Sequence, residues 1–68
     1  MNKFPERLKK LREERGLSQN QLSKQVGFTQ VAISYWERGI QIPNIDTLIV
    51  FVKFFNVSAD YLLGLEDY

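Results

Sequence analysis

A chain of 68 residues, 44% of them apolar and with a net charge of only +1, predicts one small domain (1–68) that must bury a compact core to fold. The absence of cysteine and histidine removes disulfides, thiolate and imidazole metal sites, the thiol nucleophile and the usual general base near neutral pH. Nothing pairs the remaining carboxylates, lysines and hydroxyls into a catalytic set, so neither an enzyme nor a cofactor is expected, and no small-molecule site is visible.

The longest apolar run, Leu48 to Val52, is far short of the ~20 residues that span a membrane. The charges close behind Met1-Asn2-Lys3-Phe4-Pro5 do not suit a secretory leader. A soluble protein is expected, and the lack of cysteine suits the reducing cytoplasm. Charge is unevenly distributed. Residues 1–38 carry eight Lys and Arg against four Glu, whereas residues 39–68 carry one Lys against four acids. One half could face a polyanion, or the charges could be ordinary solvated helix surface; charge alone leaves both open.

Punctuation divides the chain into five helices. Pro5 suits a first helical position with Glu6 beside it, and Phe4, Leu8 and Leu11 form one apolar stripe that ends at Gly16. Ser18 and Gln21 have capping-box spacing at the start of the second helix, which stops at Gly27. Only Phe28 separates that stop from Thr29, the next N-cap. Two helices joined through so tight a glycine turn predict a helix-turn-helix over about residues 19–38.

The third helix spans about Gln30 to Glu37, with Ala32, Ile33 and Trp36 turned inward. Gln30, Val31, Ser34, Tyr35 and Arg38 share the opposite face. Asn44 caps a largely apolar fourth helix, about Ile45 to Phe55. Ser58 starts a last helix of roughly two turns closed by Gly64. No alternation of strand length appears, and the fold class is all-α.

Leu17-Ser18-Gln19-Asn20-Gln21-Leu22-Ser23-Lys24-Gln25-Val26-Gly27, then Ile33-Ser34-Tyr35-Trp36-Glu37-Arg38-Gly39, resemble the Xre/Cro-like helix-turn-helix family. The likeness continues through Phe55-Asn56-Val57-Ser58 and Asp60-Tyr61-Leu62-Leu63-Gly64. It implies a compact five-helix, lambda-repressor-like DNA-binding domain. It also implies a transcriptional regulator, most often a repressor, that binds an inverted-repeat operator as a dimer. Two positions depart from the family pattern: Ser23 stands where alanine is usual, and Ile40-Gln41-Ile42 replaces a connection often rich in Lys and Arg.

With the third helix in the major groove, Gln30, Val31, Ser34 and Tyr35 are the candidates for base readout. The Gln30 amide can donate to N7 and accept from N6 of adenine, worth roughly 1–3 kcal/mol of discrimination. Val31 is read as a partner for either a thymine methyl or a core neighbour. Gln19, Thr29, Arg38 and Asn44 are the phosphate candidates, three of them at helix N-termini. In the family, the glutamine matching Gln19 contacts phosphate and buttresses the one matching Gln30. The resemblance also pairs Arg12 with Glu37 in a partly buried structural ion pair that does not touch DNA.

Val50, Phe54, Ile40 and Ile42 exceed what one core face requires, and surplus apolar surface marks an interface or a greasy monomer. The family's dimer contact lies near the last helix, which makes Val57, Tyr61, Leu62 and Leu65 its candidates. So small a contact predicts a homodimer that is weak without DNA. The end at Leu65-Glu66-Asp67-Tyr68 fits either a short regulator or the N-terminal part of a longer one. The competing function is a protein-interaction module, such as an antitoxin or adaptor, whose main partner is another protein.

Overall fold

The computed structural model describes residues 2–67, which form five helices: α1 (Phe4–Glu14), α2 (Gln19–Val26), α3 (Gln30–Glu37), α4 (Ile45–Phe55) and α5 (Ala59–Leu63). Helix α3 packs against both α1 and α2, and α5 against α1 and α4. None of these helices is long and apolar enough to cross a membrane.

Local chemistry sets each helix start. The Ser18 hydroxyl accepts from the Gln21 amide at 3.0 Å while Gln21 Oε1 accepts from the Ser18 amide at 2.8 Å, a complete capping box. Thr29, Asn44 and Ser58 cap α3, α4 and α5 through one side-chain oxygen each. Helix α1 begins one residue earlier than its proline suggests. Phe4 is its first residue, and its amide donates to Asn2 Oδ1 at 2.9 Å, so Pro5 sits one position further in.

The turn between α2 and α3 is held from within. Gly27 takes a left-handed conformation (φ 81°), and the Gly27 and Phe28 amides both donate to the Ser23 carbonyl. Phe28 then turns into the core. Its ring meets Trp36 edge-on at 5.1 Å and lies 5.8 Å from Phe51, which fixes how α2 and α3 meet. Ser23 is buried where the two helices approach, and its hydroxyl donates to the Asn20 carbonyl at 2.7 Å.

The core consists of Phe4, Leu8, Leu22, Ile33, Trp36, Phe51, Phe55 and Leu62. Leu48 and Val52 pack partly against it, as does Phe54, which is therefore core rather than surplus. The exposed apolar residues instead include Ile40, Ile42, Ile45 and Ile49, the last two unmarked by the sequence because α4 is apolar on most sides. Leu62 corrects an expectation. It is 0% exposed within the monomer and has no surface to offer a second copy.

Candidate nucleic-acid interface

Helix α3 presents its polar face to solvent. Gln30 and Val31 are exposed, Val31 by 59%, so a core neighbour does not cover this valine. Ser34 and Tyr35 follow one turn later and are half-buried. Arg38 is exposed but turns back along the helix, with Nη1 3.5 Å from Ser34 Oγ and the guanidinium 5.9 Å from the Tyr35 ring centroid. Ile33 and Trp36 are buried on the opposite side and anchor this surface.

Three helix N-termini are built so that donors remain available. Thr29 Oγ1 accepts from the Ala32 amide at 3.1 Å, which leaves the hydroxyl hydrogen to point elsewhere. Asn44 accepts from the Thr47 amide through Oδ1 at 2.8 Å, and its amino group makes no bond among the described residues. Gln19 stands at the first position of α2, whose first-turn amides carry the partial positive charge of a helix start.

Gln19 is held from behind. Its Nε2 donates to Glu37 Oε1 at 3.1 Å, and its Oε1 lies 3.5 Å from Gln30 Nε2, at the long limit of a hydrogen bond. Glu37 in turn accepts from Arg12 in a bidentate pair, Nε to Oε2 at 2.7 Å and Nη2 to Oε1 at 3.0 Å. Arg12 Nη1 donates to the Leu17 carbonyl at 2.8 Å. The two side chains are 11% and 3% exposed. The hydrogen bonds to Glu37 raise the Arg12 pKa above the ordinary arginine value, outweighing the burial that opposes its charge.

The basic character of the first half is smaller at the surface than in the sequence. Arg7 donates from Nη1 to the Tyr61 carbonyl at 2.8 Å and the Glu66 carbonyl at 2.6 Å, with its guanidinium 4.3 Å from the Tyr61 ring centroid. Arg15 lies over Phe54 and Phe55. Arg12 is buried and Arg7 half-buried, while Lys3, Lys9, Lys10, Arg15, Lys24 and Arg38 remain exposed. Sequence spacing carries no signal for this, because each arginine's partner lies in another helix or its flanking turn.

Of the dimer candidates, Val57 is half-buried against the core, Tyr61 lies beneath Arg7, and Leu65 is 72% exposed.

The helix-turn-helix family model matches residues 8–62. The chain is 42% identical over 64 residues to the HTH-type transcriptional activator BcrR of Enterococcus faecalis, covering 94% of this chain and 31% of BcrR. The P22 c2 repressor in complex with a synthetic operator superposes with a TM-score of 0.86 at 36% identity, covering 97% of this chain and all of that one. The biofilm regulator SinR in complex with DNA does so with a TM-score of 0.80 at 31% identity, covering 88% and 97%. The chain spans about a third of BcrR's length and 27% of the full C2 repressor of Salmonella phage P22. From the capped α2–α3 turn to the shared five-helix arrangement, the chain belongs to the Xre/Cro-like helix-turn-helix family.

Proposed function

We propose that this chain is the DNA-reading part of a cytoplasmic, sequence-specific transcriptional regulator, most simply a repressor, that binds an inverted-repeat operator as a homodimer. Helix α3 enters the major groove of double-stranded DNA, where Gln30, Val31, Ser34 and Tyr35 meet base edges. Gln19, Thr29, Asn44 and Arg38 hold the phosphates on either flank. The observation that carries this reading is the outward face of α3 flanked by three helix N-termini with donors to spare. Two structural relatives that are themselves bound to operator or DNA support it. The second copy approaches along α5 and its flanks, with Val57, Tyr61 and Leu65 as contacts, and the pair is weak without DNA.

Selection of bound duplexes from a random pool tests the reading as a whole. Enrichment of paired half-sites about 10 bp apart, or a multiple of it, is expected for a symmetric dimer. Absence of any enriched motif would remove α3 from sequence readout.

Two substitutions separate base contacts from phosphate contacts. Gln30→Ala is expected to lose about 1–3 kcal/mol on the selected site and little on random DNA, as measured by fluorescence anisotropy. An equal loss on both would contradict base readout by Gln30. Arg38→Ala is expected to weaken both DNAs alike and to reduce the slope of log affinity against log salt by about one unit. An unchanged slope would take Arg38 off the phosphate flank.

One observation favours a second reading, in which a protein partner is the main target. Ile40, Ile42, Ile45 and Ile49 are all exposed, Ile42 by 82%, along the α3–α4 connection and the first two turns of α4. An antitoxin or adaptor would use such a surface. A stoichiometric protein recovered with the chain from its native cell would favour this reading.

A further inference from the structure

Arg12, Glu37, Gln19 and Gln30 form one continuous series of hydrogen bonds, running from the interior to the solvent face of α3. Its polarity is set at the buried end. A guanidinium can only donate and a carboxylate can only accept, so Glu37 requires the amino group of Gln19, never its oxygen. With its amino group held there, Gln19 presents its oxygen to Gln30. Gln30 must answer with its amino group, which leaves its own oxygen and one remaining N–H to face outward. An unrestrained glutamine amide has no such preference, because its terminal torsion is broad and roughly two-fold.

Amide polarity matters for reading a base. Adenine offers the N7 acceptor and the N6 donor in a fixed order across the major groove, whereas guanine offers two acceptors and cytosine a donor. A glutamine free to rotate can adapt to several of these patterns. A glutamine held in one orientation meets the others with a donor facing a donor or an acceptor facing an acceptor. Discrimination is a difference between affinities, and a fixed mismatch raises it as effectively as a good match.

We propose that Glu37 is a positioning residue for base selection: acting through Gln19, it fixes the amide polarity with which Gln30 meets DNA. The proposal rests on Gln30 as the base-reading residue and adds a second role to an ion pair otherwise concerned with stability. Glu37 itself touches no base. It is 3% exposed on its side chain and lies behind Gln19.

The experiment measures Kd on a panel of duplexes carrying each of the four bases at the position read by Gln30. The proteins are the parent, Gln30→Ala, Glu37→Gln, Gln19→Met and the Gln19→Met/Glu37→Gln double variant. All are assayed well below their melting temperatures. A glutamine at position 37 can present either end of its amide to Gln19, so the acceptor-only end of the series is lost. Glu37→Gln is expected to reduce the preference for the best base over the next by about fivefold, the net worth of one hydrogen bond. In the Gln19→Met background the same change should reduce it no further, because the series is already cut.

Gln30→Ala should flatten the preference altogether. If it does not, the base-reading role of Gln30 falls, and the proposal with it. If it does, but Glu37→Gln leaves the preference at the parent value, or lowers it by the same factor with and without Gln19, the positioning role alone is overturned. Glu37→Asp provides the same test should Glu37→Gln not fold. It keeps the charge for Arg12 but withdraws the carboxylate from Gln19 by one methylene, and the same loss of preference is expected.

Discussion

Phe51→Ala is expected to lower the melting temperature by at least ~12 °C, and to leave much of the protein unfolded at 37 °C if the parent melts in the ordinary mesophilic range. The side chain is fully buried on α4 and lies at the centre of the core. Its ring is 6.0 Å from Phe4 of α1, 5.8 Å from Phe28 in the turn, 5.6 Å from Trp36 of α3 and 6.2 Å from Phe55. One residue thus joins α1, the α2–α3 turn and α3. Truncating a buried phenylalanine costs about 3–5 kcal/mol, from lost transfer energy and from the cavity left behind. A domain of this length has roughly 3–10 kcal/mol in total. Ile42→Ala, at an 82% exposed site, is the matched control and should stay within about 0.5 kcal/mol of the parent. Circular dichroism at 222 nm during heating measures both. A fall below about 5 °C for Phe51→Ala would mean that the surrounding rings close over the gap.

Much of this architecture was legible because helix boundaries are written locally. Ser18, Thr29, Asn44 and Ser58 each reach an amide three residues on, so the cap and its helix lie within one short stretch. The outward face of α3 was legible for a similar reason: a helical period is a local property, and Ile33 and Trp36 mark the inward side. Where helices meet, the pattern was silent. Phe28 reads as a spacer in a turn, yet its ring is a core anchor. Leu62 reads as one apolar residue among several on a short last helix, and only the packing of α1 and α4 against α5 decides that it is covered. Arg7 and Arg15 count toward a basic half by composition, but carbonyl groups and aromatic rings on distant segments hold their guanidinium groups. The bond from Gln19 to Glu37 joins residues 18 apart in sequence on two different helices. No periodicity encodes it.

Arg12→Met is expected to cost about 3–5 kcal/mol, because it leaves the Glu37 carboxylate buried at 3% exposure with no cation beside it. The loss is not the strength of the bond. It is chiefly the penalty of an uncompensated charge, and that predicts how it can be recovered. Changing both residues in Arg12→Met/Glu37→Leu removes the orphaned carboxylate and should restore a large part of the melting temperature lost by the single variant. Recovery should stop short of the parent, since the Leu17 carbonyl still lacks the donor that Arg12 supplied. A single variant melting within about 2 °C of the parent would show that the pair behaves as a surface ion pair, worth under ~1 kcal/mol. The double variant also separates the two roles of Glu37. A leucine there can pack but cannot accept from Gln19, so the amide series to Gln30 loses its fixed end while the fold is largely regained. Stability should return while the preference among bases stays reduced. The buried charge is then explained by what it orients, since an apolar pair would serve the core nearly as well.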